Sequence, residues 1–422
     1  MRASRLAGLC FVISVTGVPA GAQTVRAFVG ARVMDGTGAA PVENAVVLVS
    51  GGVVRAVGHA NAVSIPQGAE RIDVTGRTIL PGFVNAHGHV QGTRDLEQGP
   101  QFLTIENLER QLGIYARYGV TSVLSLGGEG DPGVAIRARP PAGRARLFAA
   151  WQSIDGQTAA ETTVAVDRVA AKGVDWLKIR IDDNLGATKK MPAEAWKAVI
   201  TRGRELKLPT AAHIFYLEDA KAVLRAGGDM IAHSVRDLPV DAELVSLLKA
   251  RDVCYCPTLM REVQAFAYEA TPAFFADPFF TREVGAPVIA ALSDPGRQAK
   301  VRQNPTTARY RAALDQAKRN LGTIAKAGVR IAMGTDSGLP GRFQGYFEHE
   351  ELALMVESGM TPMQALVAAT GDAATCIRKA GMVGTLVPGA KADLVVYRED
   401  PTKNIRATKT IESVWVDGAR VN

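Results

Sequence analysis

Pro209-Thr-Ala-Ala-His-Ile-Phe-Tyr-Leu-Glu-Asp-Ala-Lys-Ala-Val-Leu-Arg-Ala-Gly-Gly-Asp-Met-Ile-Ala-His-Ser-Val235 contains one complete repeat of the pattern that decides the fold. Pro209 to Phe215 is a short apolar run that predicts a strand, Leu217 to Ala226 spaces its apolar residues as a helix does, and Met230 to Val235 is a second strand-like run. Runs of the same kind occur at Gly82 to Val90, Val120 to Leu126, Ala145 to Gln152, Val174 to Ile181, Val253 to Leu259 and Val329 to Gly334, making eight in all. Most are separated by helical patterns, such as Ile105 to Tyr118, Ala193 to Leu206 and Asp241 to Ala250. Eight strands alternating with helices predict an α/β chain built as a (β/α)8 TIM barrel.

The rhythm differs at the two ends. Ala27 to Gly30, Ala45 to Val49, Val53 to Val57 and Arg77 to Leu80 are short β-like runs broken by glycine, and Asp393 to Tyr397 and Ser413 to Val416 repeat the style. The expected organisation is a barrel over residues 82–381 with a small β-sandwich-like module made from residues 23–81 and 382–422. Arg2 and Arg5, the apolar Leu6 to Val15 and the small residues Ala20-Gly-Ala22 read as a signal peptide over residues 1–22, which places the mature chain in the periplasm. No later segment runs about 18 apolar residues, the length a spanning helix needs.

Composition narrows the function classes. With 47% hydrophobic and 22% charged residues, disorder, collagen and coiled coil are excluded. The 49 basic residues exceed the 42 acidic ones by seven, and they are scattered, so there is no nucleic-acid footprint. Cys254, Cys256 and Cys376 are an odd number after the signal, which excludes a disulfide scaffold, and Cys254 and Cys256 read as buried strand thiols. A long connection follows the seventh strand, and Phe266, Tyr268, Phe274, Phe275, Phe279 and Phe280 make residues 260–304 either a lid or a helical hairpin with its own small core.

Of six histidines, His87, His89, His213 and His233 lie near the C-terminal ends of predicted strands, the face that carries active sites in barrels. His87 and His89 are two apart, so one strand turns both imidazoles to one side. Asp336 follows the eighth strand in Gly334-Thr-Asp-Ser-Gly338. Lys178 sits mid-strand in Trp176-Leu-Lys-Ile-Arg180, where a bare ammonium facing inward would cost several kcal/mol. It either points outward to solvent or is carboxylated by CO2 to an anionic carbamate. His349, at a predicted helix start among glutamates, either faces the site or is solvated or paired there.

His87-Gly-His89 after Leu80-Pro-Gly-Phe-Val84, then Lys178, His213, His233 and Asp336, resemble the amidohydrolase superfamily. Gly389-Ala-Lys-Ala-Asp-Leu-Val-Val396 and Val414-Trp-Val-Asp-Gly418 resemble the closing β segment of its imidazolonepropionase and prolidase-like (Xaa-Pro dipeptidase-like) branches. The resemblance implies two divalent metal ions, zinc as the first expectation. His87 and His89 would hold the first, His213 and His233 the second, and carboxylated Lys178 would bridge them. Asp336 would bind the first metal and carry the catalytic proton. The implied function is hydrolysis of an amide C–N bond in a small molecule, an N-acyl amino acid or dipeptide, by a metal-bridging hydroxide. Lactone hydrolysis, deamination, single-metal ring hydrolysis and a non-catalytic binding role are the alternatives. Arg180 and Tyr216 are candidate substrate contacts, and Arg236, Arg261 and Arg342 near the strand ends suggest an anionic substrate. A homo-oligomer is compatible with this pattern.

Overall fold

The computed structural model describes residues 24–183 and 185–421. The signal-peptide expectation therefore lies outside the described residues. Two groups of parallel strands make the centre of the molecule. Phe83–Gly88, Val120–Ser125 and Arg146–Ala149 form one, and Ser153–Ile154, Leu177–Arg180, Thr210–His213, Met230–Ala232 and Cys254–Cys256 form the other. Backbone hydrogen bonds join them at two edges. Asp175 N–H donates to Ala149 O at 2.8 Å, and on the far side Ala332 N–H donates to Tyr255 O at 3.0 Å while Ala86 N–H donates to Met333 O at 2.9 Å.

The eighth predicted strand, Val329 to Gly334, is reduced to a single bridge between Ile331 and Tyr255. Its backbone shares its bonds among several partners, because Met333 N–H turns away to Ala368 O at 2.7 Å. No continuous ladder can then form along either neighbour. The helices lie close to their predicted bounds: Ile105–Arg117, Ala193–Glu205, Leu217–Ala226 and Ala242–Ala250. Thr104 and Asp241 cap two of these by accepting from Asn107 N–H and Leu244 N–H. Gly227, at φ 97°, ends the helix Leu217–Ala226 in the left-handed region.

Both chain ends enter one sheet, in the order Ala419–Arg420, Ile411–Val416, Leu394–Tyr397, Thr78–Pro81, Val25–Val33, Val42–Ser50 and Val53–His59, with Glu70–Asp73 also paired to Val25–Val33. Phe28, Val47, Ile79, Leu394 and Trp415 pack on one side of it. Arg146, on a central parallel strand, donates to Asp393 Oδ2 at 2.7 Å and Asp417 Oδ1 at 2.9 Å, fastening this sheet to the parallel strands.

The long seventh connection is helical, with Leu259–Val263, Pro278–Thr281, Ala286–Leu292, Pro295–Gln303 and Thr306–Lys326. Tyr268, Phe275 and Phe280 are buried with Tyr118, Tyr346 and Phe347 in a cluster of their own, while Phe266 lies under the Arg311 guanidinium at 4.3 Å. The cysteine expectation is corrected. Cys254 is joined to Cys376, 122 residues away, with Cα atoms 5.7 Å apart, and among the described residues only Cys256 is a free buried thiol. The partner of Cys254 comes from the helix Gly371–Cys376, which folding brings against the strand. The sequence expectation of two buried strand thiols therefore holds for Cys256 and fails for Cys254.

Candidate metal centre

His87 lies in Phe83–Gly88, Lys178 in Leu177–Arg180 and His213 at the end of Thr210–His213, while His233 directly follows Met230–Ala232. Parallel pairing of Arg180 with His213 and of His213 with Ala232 sets these strand ends side by side. His233 and Asp336 both have left-handed backbones, φ 76° and 58°. Such conformations cost about 1–3 kcal/mol each and concentrate at functional sites. Gly334 leaves room for the first histidine, since a Cβ there would stand 2.8 Å from His87 Cβ.

The six side chains meet. His89 Nε2 is 2.8 Å from Asp336 Oδ1, and His87 Nε2 is 3.4 Å from the same oxygen. Lys178 Nζ is 3.2 Å from His87 Nε2, and His233 Nε2 is 2.8 Å from His213 Nδ1. One ligand atom each from His87, His233 and Asp336 lies within 4.8 Å of the other two. Lys178 faces inward and is 4% exposed, so the solvent-facing alternative does not hold.

Burial decides the charge of the cluster. Desolvation holds His213 down to about 3 and pushes His87 and His233 well below the usual imidazole value, the last two with help from neighbouring positive groups. Desolvation also holds the Lys178 amine down to about 8. Asp336 is the opposite case. Burial alone would raise it, but the Arg342 guanidinium and the His89 ring hold it well below the usual carboxylate range. The result is neutral His87, His213 and His233 rings around an ionised carboxylate, the protonation states that bind a divalent cation. The donor set therefore fits the implied metal.

A surrounding layer fixes these groups, and sequence reasoning saw little of it. Asp182 Oδ2 stands 3.2 Å from His213 Nε2, and His233 Nδ1 is 2.6 Å from Thr258 Oγ1. Those contacts leave His213 Nδ1 and His233 Nε2 facing each other across the site. Buried Glu348 accepts from Ser337 Oγ at 2.6 Å, Thr335 Oγ1 at 2.7 Å and Asn85 Nδ2 at 2.7 Å, clamping the segment that carries Asp336 to the His87 strand. Glu351, raised to about 8 by burial, accepts from Leu259 and Met260 N–H at 2.7 Å each. Asp182 had a signal, since it shares strand parity with Lys178 and Arg180. Glu348 and Glu351 had none, because a helix start rich in glutamate reads as solvated.

The candidate substrate contacts sit one layer out. Arg180 Nε donates to Asp182 Oδ1 at 3.0 Å and reaches the histidines through that carboxylate. Tyr216 donates to Asp183 Oδ1 at 2.8 Å with the Lys190 ammonium 4.1 Å over its ring. Arg236 is fully buried, 2.9 Å from Glu262 Oε1, and acts as internal bracing. Arg261 and Arg342 do face the site, Arg342 Nη1 donating to Asp336 Oδ2 and Arg261 Nε standing 3.9 Å from it. His349 neither faces the site nor meets solvent. It is buried against Phe83 and Phe279, its Nε2 2.9 Å from Tyr118 O, because the aromatic connection covers the helix start.

The amidohydrolase family profile matches residues 78–421. An imidazolonepropionase from Streptomyces griseus is 23% identical over 399 residues, covering 92% of this chain and 95% of the relative. Among solved structures, a Xaa-Pro dipeptidase with bound methionine superimposes with a TM-score of 0.75 at 20% identity, over 94% of this chain and 99% of the other. Molinate hydrolase gives 0.72 at 20% identity, over 95% of each chain. These likenesses identify the parallel strands and their helices as a TIM-barrel-type fold.

Proposed function

Because the chain belongs to the amidohydrolase family, in its imidazolonepropionase and prolidase-like branch, we propose that it is a binuclear metal-dependent enzyme that hydrolyses the amide C–N bond of an N-acyl amino acid or dipeptide. Hydrolysis of C–N bonds is the coarse function of the family, and the finer reading rests on one observation. Six side chains drawn from five separate segments, His87, His89, Lys178, His213, His233 and Asp336, converge into one chain of contacts at the strand ends.

In this reading His87 and His89 would hold one cation, zinc in the first instance, and His213 and His233 would hold the other. Bound divalent cations activate water and polarise the scissile carbonyl. The Lys178 amine would attack CO2 and lose a proton to give an anionic carbamate able to ligate both cations, and its depressed pKa supports this by enlarging the neutral fraction that reacts. Asp336 takes the proton from the attacking water and hands it to the departing nitrogen, and its low pKa keeps it ionised for the first transfer. Arg180 and Tyr216 orient the substrate from the rim. The same reading takes residues 82–381 as a closed (β/α)8 barrel and residues 23–81 with 382–422 as a sandwich-like module. It places the enzyme in the periplasm after removal of residues 1–22.

A single-metal ring hydrolase is the second reading, favoured by the compactness of the His87, His233 and Asp336 group. Metal content separates the two. Full-length enzyme, expressed with bicarbonate and a divalent metal and measured by plasma mass spectrometry, should carry two metals per chain, falling to one in Lys178→Ala. One metal in the parent enzyme, unchanged by Lys178→Ala, refutes the carbamate bridge.

A further inference from the structure

Asp336 divides two environments. Its Oδ1 faces the histidines, and its Oδ2 faces Arg342 and Arg261. Behind those arginines lies a pocket lined by Arg261, Gln264, Tyr268, Arg297, Tyr310 and Arg342, with no carboxylate among its lining residues. Glu262 offsets part of the charge, but its Oε1 is shared, 2.8 Å from Arg261 Nη1 and 2.9 Å from buried Arg236 Nε. With Asp336 included, two carboxylates among the three guanidiniums of Arg236, Arg261 and Arg342 leave one positive charge over. Arg297 adds another from the helix Pro295–Gln303. Both polar atoms of the Gln264 side chain are buried without a hydrogen bond. An unpaired buried amide is destabilising, so a ligand that accepts its N–H offsets that cost.

We propose that this pocket binds the α-carboxylate of the amino acid released by the reaction, with Arg261, Arg297, Arg342 and the Gln264 amide as its contacts. The assignment rests on the amide-hydrolase reading for its orientation. Asp336 delivers a proton to the departing nitrogen, so the half of the substrate on the Oδ2 side is the leaving half. An α-amino acid carries its carboxylate two bonds from that nitrogen. Guanidinium groups match a carboxylate through paired, charge-assisted hydrogen bonds. Neutral amides and esters of the same amino acids lack the charge and are poor ligands.

The test uses N-ethyl-L-amino acids, which have no acyl carbonyl to cleave, and their carboxamides, titrated by calorimetry into metal-supplemented full-length enzyme. The free acids should bind at least about tenfold tighter than the carboxamides, which is about 1.4 kcal/mol. Arg297→Glu, at an exposed position, should erase that preference, Arg297→Lys should keep most of it, and Gln264→Leu should reduce it. With an N-acetyl amino acid that is turned over, Arg297→Glu should raise KM and leave kcat near the parent value. Equal binding of acids and carboxamides, no binding in either series, or an Arg297→Glu variant that behaves as the parent overturns the proposal. Acid-selective binding that Arg297→Glu removes, in an enzyme that hydrolyses no N-acyl amino acid, would retain the carboxylate pocket and reject the amide-hydrolase reading.

Discussion

The histidine end of the parallel strands and the sheet built from both chain ends are stabilised in opposite ways. In the sheet, Phe28 and Trp415 meet edge to face with centroids 5.0 Å apart, and strand pairs such as Val25–Val33 with Val42–Ser50 hydrogen-bond in long registers. Apolar burial and strand pairing, interrupted by a few register shifts, carry the stability there. At the strand ends, left-handed backbones at His233 and Asp336, a buried lysine and buried carboxylates accumulate instead. The first region is folded for its own sake. The second carries unfavourable electrostatics that the sheet and the apolar centre sustain and that a cation would relieve.

Separating turnover from stability tests this contrast most severely. Asp336→Asn should lower kcat by about 10⁴-fold or more, roughly 5 kcal/mol of barrier, with little change in melting temperature. Most of the bound metal should remain, and retained turnover would remove Asp336 from the chemistry. In the sheet the pattern reverses. Phe28→Ala should cost about 3–5 kcal/mol of unfolding free energy, read by denaturant titration, with kcat per folded molecule unchanged. A fall in kcat there would show that the regions are coupled.

Replacing both Cys254 and Cys376 with Ala probes the seam beside the site and should cost about 2–4 kcal/mol. An unchanged denaturation midpoint would show that the bond is dispensable. The effect confined to acid pH concerns His349, which burial holds down to about 3 against an unfolded value near 6.5. Between those values the unfolded chain binds the extra proton, so stability falls as pH drops, by about 1.4 kcal/mol per unit from this group. Above about 6.5 the group contributes no pH dependence. His349→Gln should make the stability curve shallower by one proton between pH 6 and 4, and an unaltered slope would mean the ring is not buried neutral.

Periodicity made the central elements legible. The helix Leu217–Ala226 matches its sequence expectation, and His87, His89, Lys178, His213, His233 and Asp336 were all singled out from their strand positions. The histidines and Lys178 are polar residues in or at the end of apolar runs, and Asp336 directly follows one. The Cys254–Cys376 bond was missed because its partners are 122 residues apart, and nothing in the sequence marks that separation as a contact. The burial of His349 and Glu348 was not legible for a related reason. Their burial comes from Tyr118 and Phe279 above one and Asn85 and Thr335 beside the other, all distant along the chain.

Spacing in the sequence by itself determined which residues share a strand face and which lie at strand ends, because side-chain direction alternates with a fixed period along an extended backbone. Type, order and end-of-strand position marked these residues as candidates, and the resemblance to the amidohydrolase superfamily supplied the reading of them as metal ligands. Only the tertiary structure decided which charges neutralise one another. It paired Arg180 with Asp182, set Arg342 on Asp336 and gathered Arg261, Arg297 and Arg342 around one pocket. Charge pairing depends on distance through space and on exclusion of water, and neither exists until the long connections have packed.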